Sequence, residues 1–99
     1  MSRRTQAFTL LQASEDSPTL ASLMARARDA QARLQAIAPL LPPAMRASVQ
    51  AGPVEDAEWC LLVQGNAVAA KLRQMVPMLL AQLRTQGWDT RSIRIKVRN

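Results

Sequence analysis

Residues 91–98 alternate without a break. Ile93, Ile95 and Val97 fall on one side, and Ser92, Arg94, Lys96 and Arg98 on the other. A period of two belongs to a β-strand with one buried and one solvated face, and no helix reproduces it. A strand of this kind cannot stand alone. It needs a hydrogen-bonding neighbour and a second layer to cover its apolar face. The rest of the chain is rich in Ala and Leu, with 48% hydrophobic residues and only 3% aromatics. That composition favours helices as the covering layer and opposes a β-sandwich. The predicted class is α+β. Ninety-nine residues make one domain, able to bury roughly 65% of its unfolded surface.

The remaining elements follow from local signals. Residues 1–16 lack a period and are read as a mobile leader, in which Phe8, Leu10 and Leu11 are the apolar group able to dock. The domain is expected over 17–99. Ser17-Pro18 is a helix start, a capping hydroxyl followed by Pro at the first helical position. Leu20, Leu23, Met24, Ala27, Ala30, Leu34, Ile37, Ala38 and Leu41 then recur at helical spacing. Arg26, Asp29 and Arg33 occupy the opposite face, with Asp29 and Arg33 spaced as an ion pair. Pro39 and Pro42-Pro43 end this helix, and one more turn is expected from Pro43 to about Ser48. Val49 to Val54 reads as an edge strand, because Gly52 and Pro53 interrupt it. Glu55-Asp56 is a turn. Trp59 to Val63 is apolar on both faces, which predicts a central, well-covered strand.

Gln64-Gly65-Asn66 stops that strand, with Asn66 as the expected cap of the next helix. Val68, Leu72, Met75, Val76, Leu79, Leu80 and Leu83 form its apolar side. Pro77 lies inside it. An interior proline costs about 3 kcal/mol, so a kink or a break into two helices is expected there. Gly87 closes the helix, and Trp88 is expected to fold back onto Leu83 or Arg84. The order is a long N-terminal helix, a β-hairpin, a kinked helix and a third strand, α-β-β-α-β, with a small three-stranded sheet.

Charge narrows the function. The chain has 13 Lys plus Arg against 7 Asp plus Glu, a net +6. Residues 1–58 are balanced, whereas the seven basic residues after them face only Asp89. Such a one-sided field attracts polyanions or acidic surfaces. Arg94, Lys96 and Arg98 would stand about 6.6 Å apart on one strand face, a spacing suited to backbone phosphates. Arg91 extends this group, and Lys71 and Arg73 lie early in the second long helix. These six are the candidate nucleic-acid-binding residues. Two other readings of the basic strand stay open: a surface for an acidic protein, and an exposed face that only discourages edge-to-edge pairing.

Catalysis is not expected. The sequence has no His, and its carboxylates fall at turns, helix starts or polar faces. Gly52, Gly65 and Gly87 are too scattered to cradle a phosphate. Cys60, the single cysteine, reads as a small core residue. No metal or cofactor is expected. No apolar run approaches the ~20 residues of a membrane span, so no membrane partner is expected and the cytoplasm is the expected location.

The stretch from Trp59 to Val97 resembles the DciA-like domain family of bacteria. The resemblance rests on the apolar strand, on Asn66-Ala67-Val68-Ala69-Ala70-Lys71-Leu72-Arg73-Gln74-Met75-Val76-Pro77, on Leu79-Leu80, on Gly87-Trp88, and on Ile93-Arg94-Ile95-Lys96-Val97. The order of elements matches from about Leu20 onward. It implies a KH-like fold and a role around loading of the replicative helicase onto DNA, with the helicase and DNA as partners; the basic residues by themselves suit a DNA or RNA backbone. The three glycines make no Gly-x-x-Gly loop. The implied nucleic-acid contact therefore falls to the basic strand or helix.

Overall fold

A computed structural model describes residues 19–98. The expected leader, with Ser17 and Pro18, lies outside the described residues. Helix α1 (Leu20–Ile37) is capped by Thr19, whose Oγ1 accepts from the Ser22 amide at 3.1 Å. It ends at Ile37; Ala38 keeps helical backbone, and Ala38–Leu40, with Pro39 inside it, tightens into a 3₁₀ turn. A single short turn, α2 (Pro43–Arg46), follows as expected and buries Met45.

Strands β1 (Val49–Glu55) and β2 (Glu58–Gln64) form an antiparallel hairpin around Asp56-Ala57, with Asp56 at φ 54°. β1 is an edge strand. A register shift between Ala51 and Val54 takes in Gly52 and Pro53, so Pro53 withholds no amide from a regular ladder. Helix α3 (Asn66–Thr85) then crosses over, and β3 (Ser92–Arg98) returns parallel to β2. The sheet order is β1-β2-β3, with β2 in the centre. This is the predicted α-β-β-α-β order of an α+β domain.

The core lies on one face of the sheet. Trp59, Leu61 and Val63 of β2 are fully buried against Ile37 of α1 and Ala69, Leu72, Leu79 and Leu83 of α3. Ile93, Ile95 and Val97 pack on its margin. The indole N–H of Trp59 has no hydrogen-bond partner among the described residues.

Five expectations are corrected. β2 is central but covered on one face only, since Cys60 and Leu62 remain partly exposed. Asn66 begins α3 without capping it: the cap position is Gly65, with no side-chain hydrogen bond. Pro77 does not divide α3, which runs unbroken to Thr85. Its ring is exposed, and the buried residues on either side, Ala69 and Leu72 before and Leu79 and Leu83 after, hold both halves to one sheet.

The fourth and fifth corrections concern α1. Arg33, expected on the polar face, is buried at 7% exposure between α1 and the loop before β3. Conversely, Leu20, Leu23 and Met24, expected on the core stripe, stand 73%, 48% and 54% exposed. The sheet is too small to reach them: only the second half of the helix, from Ala30 to Ile37, is buried.

The closure of α3 is a double one. The Gly87 amide donates to Arg84 O at 3.0 Å and the Trp88 amide to Leu83 O at 2.9 Å, with Gly87 at φ +86°. This is the left-handed glycine termination expected there. Trp88 does turn back over the core, but its ring meets Arg33 as well.

Candidate nucleic-acid interface

The face of the sheet turned away from α3 carries the alternate residues of all three strands. Gln50 pairs with Leu62, and Glu55 with Glu58. Across the parallel ladder, Glu58 pairs with Ser92, Cys60 with Arg94, Leu62 with Lys96, and Gln64 with Arg98. Arg94, Lys96 and Arg98 are all exposed on this face, at alternate positions of one edge strand. Their Cα atoms stand about 6.6 Å apart in sequence order.

No carboxylate among the described residues lies within salt-bridge distance of these three cations: the ion pair found there is Arg33 with Asp29, at 2.6 Å. The Arg98 guanidinium makes only a long 3.5 Å contact to Gln50 Oε1. Positive charge on β3 is therefore available to an outside anion.

The face is mixed: partly exposed Cys60 and Leu62 of β2 lie beside the charged row of β3. At the hairpin end, Glu55, Glu58, Cys60, Arg94 and Lys96 line a shallow depression of about 170 Å³ with Pro53. Glu55 and Glu58 stand directly opposite each other there. Arg94 is the ladder cation nearest these carboxylates, and Arg98, three residue pairs beyond the Leu61–Ile95 pair, is the farthest. Arg91 is exposed just before β3, and its amide donates to Ala57 O at 2.8 Å, which ties it to the acidic hairpin end.

Lys71 and Arg73 are exposed on α3, in the layer on the other side of the sheet. They flank buried Leu72 on opposite sides of the helix, since adjacent residues are ~100° apart. The structure thus brings Arg94, Lys96 and Arg98 together and keeps Lys71 and Arg73 apart from them and from each other.

Sequence reasoning missed the neighbours of the ladder. Gln50, Leu62 and Gln64 share its face, and Glu55 and Glu58 bound it. The hairpin register could have been read from the two-residue turn between Glu55 and Glu58. The β2–β3 register could not, because a parallel pair joined through a long helix has no local turn to set it. Among the described residues, no helix is long and apolar enough to cross a membrane. No family model matches the sequence, and no curated protein matches it.

Proposed function

We propose that this chain is a non-enzymatic accessory domain that contacts the backbone of nucleic acid through Arg94, Lys96 and Arg98. One observation carries the reading: three exposed cations, unpaired among the described residues, stand at alternate positions of an edge strand on an uncovered sheet face. Phosphate recognition asks only for positioned positive charge and hydrogen-bond donors. Gln50 and Gln64 add neutral donors beside the row. The resemblance of Trp59 to Val97 to DciA-like domains supports the same reading, and with it a KH-like ancestry and a place near the replicative helicase.

Anisotropy of labelled single- and double-stranded DNA, titrated across a salt series, tests it. Three phosphate contacts give a log–log salt slope of about −2.7 on duplex and about −2 on a single strand. Reversing all three charges to Glu should remove binding at low salt. Equal binding by that variant would sink the proposal. Reversal of Lys71 and Arg73 in a separate variant shows whether the polyanion wraps onto the helical layer, and reversal of Arg91 whether it reaches the hairpin.

A second reading is an adaptor that binds an acidic protein without nucleic acid. Partly exposed Leu62 and Cys60 beside the ladder favour it, since an apolar strip flanked by charge suits a protein surface. Binding to purified replicative helicase after nuclease treatment, lost on Leu62→Asp, separates this reading from the first.

A further inference from the structure

The two edges of the sheet, β1 and β3, are built differently. β1 carries the register shift at Gly52 and Pro53, which bends an edge and interrupts its row of donors. β3 has neither proline nor bulge, and its register with β2 is unbroken from Ser92 to Arg98.

Two hydrogen bonds show which of its backbone groups face outward. The Ser92 amide donates to Ala57 O at 3.3 Å, so Ser92 turns its backbone toward β2. On the other side of β2, the Gln64 amide donates to Ser48 O at 2.8 Å, which leaves the backbone of Leu61 and Val63 turned toward β3. Backbone direction alternates along a strand. Ser92, Arg94, Lys96 and Arg98 therefore bond to β2, and the amides and carbonyls of Ile93, Ile95 and Val97 point away from it. Among the described residues, no turn, loop or cap hydrogen bond reaches these three. Their side chains are only partly buried, at the margin of the core.

Side chains define the strand that fits this edge. Arg94, Lys96 and Arg98 are exposed on one face, so acidic residues at alternate positions of an added strand would meet them at about 4.5–5.5 Å between Cβ atoms. On the other face, apolar residues would extend the core past Ile93, Ile95 and Val97. The nearby carboxylates do not cancel the field at the edge. Glu58 of β2 and Glu55 of β1 lie on the far side of β3, about 10 and 14 Å from an added strand. Asp89 lies in the loop before β3, at the opposite end from Arg98. A second copy does not fit, because β3 against β3 sets like charges opposite one another on one face.

We propose that the free edge of β3 takes up an extended peptide of alternating acidic and apolar residues as a fourth strand. The backbone of Ile93, Ile95 and Val97 supplies the hydrogen bonds, and the three cations select the acidic side chains. The proposal rests on the edge and not on the open face, so it stands apart from the nucleic-acid reading. Where both partners are present, they compete for Arg94, Lys96 and Arg98.

The probe is a synthetic peptide alternating Glu and Val over the length of β3, added to the full chain. Amide exchange followed by NMR should show protection at Ile95 and Val97 rising about tenfold, with Arg94 and Lys96, already in the ladder, unchanged. Methylating the peptide's backbone nitrogens at alternate residues separates strand addition from charge attraction. One set only should weaken binding, by at least about tenfold: the Val residues in an antiparallel strand, the Glu residues in a parallel one. Equal effects of the two methylations would overturn the proposal. So would full-strength binding by Arg94→Gln/Lys96→Gln/Arg98→Gln, since the cations would then select nothing. Ile95 and Val97 amides already protected without peptide would overturn it too, because the edge would not be free. The DNA titrations are decided by the face, and their result stands whichever way the edge behaves.

Discussion

The guanidinium of Arg33 lies 4.6 Å from the centroid of the Trp88 ring. Its Nε donates to Thr90 Oγ1 at 3.0 Å and its Nη1 to Asp29 at 2.6 Å. One buried side chain thus ties the middle of α1 to the loop that delivers β3. The basic strand is positioned at its N-terminal end by this contact and by the two amides that meet Ala57 O.

Arg33→Ala should therefore destabilise the domain by about 2–3 kcal/mol, through the lost stacking and the lost charged hydrogen bonds. Arg33→Lys should recover little, because a single ammonium reproduces neither the planar stack nor the forked donors. Urea denaturation measures both. A loss below about 0.5 kcal/mol for Arg33→Ala would show that the contact does not hold α1 to the β3 loop.

Two glycine substitutions should fail for different reasons. A Cβ on Gly52 would sit 2.7 Å from the carbonyl oxygen of Cys60, an atom of the central strand that cannot move without disturbing the ladder. Gly52→Ala should cost about 1–3 kcal/mol, with exchange protection lost across the β1–β2 pairs. Gly87 has open space around it but needs φ +86°, so Gly87→Ala should cost about 1–2 kcal/mol and fray only the end of α3. Gly87→Asn should restore part of that loss, whereas Gly52→Asn should not restore any.

The continuity of α3 leads to the opposite expectation at Pro77. The proline leaves the Arg73 carbonyl without its helical donor, yet packing keeps the helix whole. Pro77→Ala returns that donor at an exposed position and should stabilise the domain by about 1–2 kcal/mol, less than the full propensity difference because proline also stiffens the unfolded chain. Thermal and urea melts of the variant check this, and a destabilised variant would mean that Pro77 has a packing role.

What the sequence made legible divides along physical lines. Period-two alternation in 91–98, the edge character of β1 and the glycine closure at Gly87 are properties of a few adjacent residues, and each was readable. The burial of Arg33 was not, since its partners Trp88 and Thr90 come from the far end of the chain. Nor was the open face of β2 readable. An apolar residue on a strand looks the same whether a helix covers it or not, so the sequence of Cys60 and Leu62 does not distinguish core from open face. The exposed start of α1 fails likewise: periodicity names the apolar face of a helix, not how far the neighbouring sheet extends beneath it. Of the six candidate cations, the strand spacing correctly grouped Arg94, Lys96 and Arg98. Linear proximity gave no sign that Lys71 and Arg73 would lie in the opposite layer.

The acidic end of the sheet gives the sharpest expectation about the interface. Glu55 and Glu58 face each other across the hairpin, where like charges directly opposite cost about 0.2–1 kcal/mol. They also stand beside the Arg94 end of the ladder. Glu55→Gln/Glu58→Gln should raise stability within that range and tighten nucleic-acid binding several-fold at low salt, with the gain fading as salt screens it. By the same geometry the three cations are unequal. Arg98→Gln should weaken binding more than Arg94→Gln, whose field the carboxylates already offset, with Lys96→Gln between them because Lys96 lines the same depression, and each should reduce the salt slope by about 1. Binding isotherms for the three single variants and the double Gln variant over one salt series decide it. Should Arg94→Gln prove the most damaging, the polyanion would have to approach over the hairpin and not along the far end of β3.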